Sequence, residues 1–449
     1  MAPIIHKPRT LSIRVQTDAG RMKISPARLS AFEILNRIDT DRAFSSVLLP
    51  QYEADLAQND RGLCHELVLG VLRRQIYLDK IIEQFSGTKK LDTAVRNALR
   101  LGAYQIISLD KVPAYSAINE SVNLVRAAKK TSAKGFVNAI LRRISENIPA
   151  LQFADEVERV SVETSHPRWL VEKWVVEFGF SEAEQIAASN NEIPKVAFRA
   201  VGENQESFAG YQKSEFVEVA YVASSIDSTL RQMADAGEIY FQDEASQMVA
   251  SIAARDLRGR FLDVCAAPGG KTTQIAARYS SKPNTLIVAG DLHESRVRLL
   301  RSTCERQRID FVNIVRYDAE VALPFADESF ATVLVDAPCS GTGTIRHNPE
   351  IRYFLEPADF AELASKQRNI LRNASNLVQP GGRLIYSTCS METEENEAVC
   401  EEFLQASPKF RQTRPSVPDR FLTGRAFART FPHRDGTDGF FIAQFERVG

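Results

Sequence analysis

The sequence predicts an α/β body built on a mostly parallel, doubly wound sheet, preceded by an all-α region and a small α/β connector. Three observations carry this expectation. After about residue 237, apolar runs bounded by turn residues alternate with helical stretches, as in RFLDVCAA before KTTQIAARY and TLIVAGD before ESRVRLLRSTCERQ. Strands apolar on both faces and separated by helices belong to a parallel sheet covered on both sides. Before residue 150 the periodicity is helical and strand-like alternation is scarce. Finally, 449 residues exceed what one compact core organises, so two or three domains are expected.

Residues 1–23 are polar and basic without steady periodicity and read as a flexible leader. Helical character begins near Ile24 and defines a domain over 24–150. Ser25 before Pro26 fits an N-cap with proline at the first helical position, and Leu29, Phe32, Leu35 and Ile38 follow at helical spacing. Further helices are predicted near 60–74, 77–85, 92–107, 114–129 and 134–144, with Gly87, Pro113, Gly135 and Pro149 near the breaks. Residues 151–236 form the connector, with helical HPRWLVEKWVVEFG followed by strand-like KVAFRAV and FVEVAYVA, and are expected to carry substrate-side surface. Residues 237–449 hold the sheet, continuing through FVNIVRYD and ATVLVDAP and, after a long helix near 359–378, RLIYSTCS.

Composition narrows the class. Hydrophobic residues at 44% and charged residues at 25% are ordinary for a globular chain. No apolar run approaches the length of a membrane span, and MAPIIHKPRTLSIRVQ has no signal-peptide core, so a cytoplasmic location is expected. Residues 1–150 carry 23 Lys and Arg against 14 Asp and Glu, whereas the remainder carries 33 against 43. A basic front third on an acidic body points to a polyanionic partner; a solvated basic face is the plain alternative. Six cysteines occur without a CxxC pair or a histidine cluster, which argues against a metal site.

Residues 263–272 read DVCAAPGGKT, where a buried strand gives way to a helix, the usual ligand edge of such sheets. Gly269 and Gly270 allow close backbone approach, and the helix N-terminus favours negative charge. The next strand ends in Asp291, placed to bind ribose hydroxyls, and a third ends in Asp318, placed to accept from an adenine amino group. Together these describe an adenosine pocket. A dinucleotide fingerprint does not fit AAPGGK, and a phosphate-binding P-loop would need glycine where Cys265 stands, so an NTPase is a near miss.

Two strand ends each deliver a cysteine in a Ser/Thr/Pro turn: Cys339 in DAPCS and Cys389 in STCS. In a parallel sheet both thiols would face the cofactor crevice. Cys64, Cys304 and Cys400 read as helix packing residues, and Cys265 as part of the cofactor loop. A thiol suits methylation of cytosine at carbon 5, because that carbon is too weak a nucleophile until a thiolate adds to carbon 6. Asp336, just before Cys339, is the candidate to hydrogen-bond the cytosine N3/N4 edge. Spacing alone does not choose between the two cysteines.

The stretches FQDEASQ, DVCAAPGGKT, DAPCSGTGTIRHNPEI, QPGGRLIYSTCS and HRDGTDGFFIA, in this order, resemble the NOL1/NOP2/Sun family of RNA cytosine-5 methyltransferases. Upstream, VPAYSAINESVNL and KGFVNAILRR resemble the NusB-like domain of its bacterial Sun/Fmu/RsmB branch, so the likeness covers nearly everything after residue 23. It implies a Rossmann-like methyltransferase domain, an all-α NusB-like RNA-binding domain, S-adenosylmethionine as cofactor and 16S ribosomal RNA as substrate. It also implies Cys389 as nucleophile and Cys339 as the residue that assists product release. The cofactor residues it implies are Cys265, Ala266, Ala267, Pro268, Gly269, Gly270, Lys271, Asp291, Asp318 and Asp336. KVAFRAVG matches the family's connector motif only loosely, which leaves the contacts around Arg199 open. A monomer acting on ribosomal RNA, with neither membrane nor metal, completes the expectation. The competing reading is a non-catalytic NusB-like assembly factor, which failure to bind labelled S-adenosylmethionine would favour; phosphate release from ATP would favour the NTPase.

Overall fold

The computed structural model describes residues 24–87, 90–202, 208–279 and 285–449. The leader expected over 1–23 lies outside the described residues. Contacts divide the described chain into two units, one comprising 24–192 with 345–355 and the other 193–344 with 356–449.

The first unit is all-α. Its helices are α1 (Pro26–Asp41), α2 (Ser45–Glu53), α3 (Gln58–Arg73), α4 (Gln75–Ser86), α5 (Thr93–Ser108), α6 (Ala114–Ala127), α7 (Lys134–Glu146), α8 (Glu156–Glu163), α9 (Arg168–Phe178) and α10 (Phe180–Ser189). The apolar stripes of α1 to α7 close one core in which Phe32, Leu35, Leu67, Val71, Leu99, Leu124 and Leu141 are buried. Pro26 occupies the first turn of α1 as expected, but the Ser25 side chain makes no capping bond, and its backbone N–H donates to Glu120 at 3.1 Å.

The sequence did not announce α2. It has no local cap, carries Pro50 inside, and draws its N-terminal acceptor from far along the chain: Glu350 accepts from Ser45 N at 2.6 Å and from Ser45 Oγ at 3.0 Å. A carboxylate there meets exposed N–H groups and the positive helix end. Glu350 belongs to a strap, residues 345–355, that includes a short α15 (Ile351–Phe354). Arg352 on this strap is fully buried and donates to the carbonyls of Thr164 at 3.0 Å and Asn190 at 3.3 Å and to Asn191 Oδ1 at 3.0 Å. These groups close the ends of α8 and α10.

The second unit contains both sheets. Strands β1 (Val196–Ala200), β2 (Gln212–Lys213), β3 (Ala220–Ala223) and β4 (Ile239–Phe241) form a small antiparallel sheet in the order β2-β3-β1-β4. The large sheet holds β5 (Arg260–Asp263), β6 (Leu286–Asp291), β7 (Val312–Arg316), β8 (Phe330–Asp336), β9 (Val378–Thr388), β10 (Phe410–Thr413), β11 (Ala428–Arg429) and β12 (Phe441–Arg447). Its order is β10-β12-β9-β8-β5-β6-β7, with β11 on β12. Strands β5 to β9 pair in parallel, whereas β12 enters antiparallel between β9 and β10. The helices of this unit are α11 (Ser228–Asp235), α12 (Glu244–Ala254), α13 (Gly270–Ala277), α14 (Glu294–Arg306), α16 (Pro357–Asn376), α17 (Glu397–Ala406) and α18 (Pro432–Asp435).

Successive strand residues enter different cores. Phe261, Ile287, Leu334 and Ile385 pack in one, and Leu262, Val288, Val335 and Leu384 in the other. That is why these runs are apolar throughout rather than alternating. The sheet is therefore mostly parallel and doubly wound, as the sequence predicts. Its strand order reverses between β5 and β8, and ligands bind beyond the carboxyl ends at such a point. Among the described residues no helix is long and apolar enough to cross a membrane.

Candidate active site

The loop after β5 runs to α13, and its backbone is tied down on all sides. Gly269 has φ +106°, and a Cβ there would meet Leu300 at 2.9 Å, so only glycine turns here against α14. Ala266 N donates to Gly290 O at 2.8 Å, and Ala267 N donates to Asp291 Oδ2 at 3.2 Å. Arg296, on α14, donates to Asp291 at 2.9 Å and to the Ala267 carbonyl at 2.8 Å. Asp291 thus stands at the end of β6, six per cent exposed, as both loop anchor and candidate ribose ligand. Asp318 follows β7 and closes a turn by accepting from Glu320 N at 2.9 Å.

Beneath the loop, Asp263 ends β5. Thr272 Oγ1 donates to its Oδ2 at 2.6 Å, while Oδ1 is buried with no partner among the described residues. Burial raises this carboxyl to about 7, with the charges of Asp336 and Asp291 adding to the effect and Thr272 and Lys271 opposing it. A buried acceptor left without a donor fits a ligand bearing an amino group, and Asp291 fits a vicinal diol. Burial pushes the Cys265 thiol well up, assisted by the carboxylates of Asp291, Asp263 and Asp336, so it is held protonated.

The ends of β8 and β9 bring the candidate catalytic groups together. Their parallel register sets Asp336 opposite Ser387, and Ser387 Oγ donates to Asp336 Oδ1 at 2.7 Å. Lys271 Nζ reaches the other carboxylate oxygen at 2.7 Å. Burial would discharge this ammonium, but the Asp336 charge outweighs it and the Lys271 pKa is raised. Lys271 also lies within electrostatic reach of Cys389.

Cys339 and Cys389 sit with their sulfurs 3.3 Å apart. The sequence expects both thiols at one crevice; their direct contact needed the register of β8 on β9. The bond to Cys389, then burial, holds Cys339 well above its ordinary thiol range. The loops behind them interlock: Gly343 N donates to the Cys389 carbonyl at 2.9 Å, and Gly439 N donates to the Gly343 carbonyl at 2.8 Å. By contrast, Cys64, Cys304 and Cys400 are buried within α3, α14 and α17.

Three features escaped the sequence reading. Arg199 is one per cent exposed and braces the first turn of α13, donating to Thr273 Oγ1 and Gln307 Oε1 at 2.7 Å each. Lys271 reads as part of the cofactor loop, yet it also forms the ion pair with Asp336. Glu395 lies in the acidic run METEENE, which the sequence does not single out, and it is fully buried. Nothing in its local spacing signals that.

Comparison with known proteins agrees with this geometry. The 16S rRNA methyltransferase RsmB/F family matches residues 252–446, and the NusB family matches residues 25–146. The chain is 34% identical to a probable ribosomal RNA small subunit methyltransferase B of Bacillus subtilis (strain 168), covering 95% of this chain and all of that protein. It is 31% identical to the ribosomal RNA small subunit methyltransferase B of Pseudomonas putida, covering 94% of this chain and 98% of the other. The crystal structure of PH0851 superposes with a TM-score of 0.80 at 27% identity, covering 95% of this chain and all of that one. The doubly wound domain is accordingly a Rossmann-like methyltransferase domain joined to a NusB-like one, and the chain belongs to the 16S rRNA methyltransferase RsmB/F family.

Proposed function

We propose that this protein transfers a methyl group to carbon 5 of a cytosine in 16S ribosomal RNA, with Cys389 bonded transiently to carbon 6. The observation that carries the reading is the pair of sulfurs 3.3 Å apart beside the Lys271–Asp336 ion pair, at the point where the strand order reverses. S-adenosylmethionine supplies the methyl carbon, activated on a sulfonium. The loop of Cys265, Ala266, Ala267, Pro268, Gly269, Gly270 and Lys271, with Asp291 and Asp318, holds it.

Cys389 adds as thiolate to carbon 6, and the electron pair moves onto carbon 5, which takes the methyl carbon as the methyl–sulfonium bond breaks and the sulfur leaves as a neutral thioether. The positive charge of Lys271 faces this step. A carboxylate accepts about four hydrogen bonds, so Asp336 retains capacity for the N3/N4 edge beyond its bonds to Lys271 and Ser387. A base takes the carbon 5 proton, the freed electron pair restores the ring double bond, and Cys389 leaves carbon 6 as a thiolate that can accept the Cys339 proton across the 3.3 Å between the sulfurs. Cys339, held as a thiol, assists that release.

The helical unit is the proposed RNA-binding part. Arg126, Lys129, Arg142 and Arg143 are exposed on α6, α7 and their junction, where they can meet phosphates. The stretch 151–236 is proposed as substrate-side surface. A cytosine must be unstacked to expose carbon 6, so open junctions and loops are the expected targets.

The deciding experiment pairs two variants. Cys389→Ala abolishes methyl transfer and keeps cofactor binding, whereas Cys339→Ala accumulates a protein–RNA adduct that survives denaturing electrophoresis. Full activity of Cys389→Ala refutes the covalent route, and absence of an adduct with Cys339→Ala refutes the release role.

A further inference from the structure

We propose that Glu395 is a positioning residue that fixes the separation of the two active-site thiols and thereby governs release of the methylated base; the inference rests on the covalent reading above. Glu395 ends a 3-10 turn over Thr393–Glu395, just before α17. Both cysteine loops are bonded to its side-chain carboxylate. From the loop after β8, Ser340 donates through both its backbone N–H (2.9 Å to Oε1) and its hydroxyl (to Oε2). From the loop after β9, Ser390 donates its hydroxyl to the same Oε2. Ser340 and Ser390 directly follow Cys339 and Cys389.

Two further side chains stiffen this clamp. Gln367, on α16, donates its amide to Glu395 Oε1 and to the Pro338 carbonyl, both at 2.9 Å, holding the residue before Cys339 as well as the clamp. Tyr386, in β9, donates its hydroxyl to the Glu395 carbonyl, fixing the backbone that presents the carboxylate. Asn396 beside it bonds only the β9 side, through Thr388 and the Ser390 carbonyl. Glu395 bonds both loops, which also meet directly through Ser340 and Ser390 hydroxyls 3.1 Å apart.

The donor set selects the ionised form, because four donors converge on two oxygens and match the acceptor capacity of a carboxylate. Burial works the other way and raises the Glu395 pKa, with the bonds from Ser340 and Ser390 opposing it. Two consequences follow for chemistry. The loops cannot separate without stranding a buried charge, so the sulfur spacing is enforced. A negative charge behind Cys339 also adds to the influences that keep that thiol protonated. Carbons 5 and 6 are neighbours in the ring, so the two sulfurs must stay close for one to act on release while the other is bonded. Attack by Cys389 is the less demanding step, because it requires only one sulfur.

Glu395→Gln tests this, since it keeps the size and replaces an acceptor with an amide that faces donors. Expected are a kcat reduced at least about tenfold, an unchanged KM for S-adenosylmethionine, and a several-fold rise in denaturation-resistant RNA adduct. A second variant, Ser340→Ala with Ser390→Ala, removes the two hydroxyl donors while leaving the carboxylate, and should shift the same readouts in the same direction. If Glu395→Gln fails to fold, the double serine variant decides alone. Wild-type turnover and adduct levels in a folded variant overturn the clamp. A fall in turnover without added adduct overturns it too, reducing Glu395 to a packing role. RNA containing 5-fluorocytosine separates this from the parent reading: if the wild-type protein forms no adduct with it, the covalent route fails, whereas an adduct with wild-type behaviour of both variants sinks the clamp only.

Discussion

Replacing Gly343 by alanine probes the interlocked loops most directly. A Cβ built on Gly343 would lie 2.0 Å from the Gly439 carbonyl oxygen, 2.6 Å from its carbon and 2.8 Å from its Cα. All three are backbone atoms, so no side chain can swing aside, and the chain at 439 must retreat by roughly 1 Å or more to reach ordinary contact. Retreat breaks the bonds from Gly343 N to Cys389 O and from Gly439 N to Gly343 O. Two buried backbone bonds at about 1 kcal/mol each, with overpacking strain of about 2 kcal/mol, give a loss near 4 kcal/mol. In a unit of this size that lowers Tm by on the order of 10 °C. Because Cys389 supplies one of the acceptors, a displacement of this size should also reduce methyl transfer by about 100-fold. Thermal unfolding and a radiolabel transfer assay measure both. Gly62→Ala is the control: Gly62 sits in α3 with open space around its Cβ, and alanine there should leave stability equal or up to about 1 kcal/mol higher. Wild-type Tm and turnover in Gly343→Ala would refute the reasoning.

Asp263→Asn should change the pH dependence of stability. The folded carboxyl at about 7 lies above its unfolded value, so its contribution is complete below about pH 4 and disappears as pH rises through 7. The wild type should lose up to about 4 kcal/mol over that window, and the variant should not, which urea unfolding of cofactor-free protein at pH 5 and pH 8 would reveal; parallel profiles would contradict it. Arg352→Met should destabilise the helical unit by about 3 kcal/mol, because the carbonyls of Thr164 and Asn190 lose a buried donor; an unshifted urea midpoint would dismiss that role. RNA affinity should fall steeply with salt, and Lys129→Ala with Arg142→Ala should each reduce the log–log slope by about 1 if they touch phosphate; unchanged slopes would remove them from the interface.

Much of the molecule was legible because its signals are local. The period of the apolar runs separates α1 and α5 from β5 and β6, and strand, glycine turn and helix follow one another within DVCAAPGGKT. Signals carried by distant residues were not legible. Helix α2 is capped by Glu350, 305 positions away, and no feature of residues 45–53 announces it. The strand β12 enters antiparallel between β9 and β10, a choice made by sheet edges rather than by FIAQFER itself.

For the candidate site, residue types and order alone determined that two thiols, a glycine turn and three strand-end aspartates would gather at one edge of a parallel sheet, since strand direction follows from the alternation of strands and helices. Only the tertiary structure decided that the sulfurs lie 3.3 Å apart, that Lys271 pairs with Asp336, and that Glu395 is interior rather than solvated. Distances and burial depend on register and on which segments close over an edge, and both arise from packing free energy summed over the whole unit, which no short window of sequence contains.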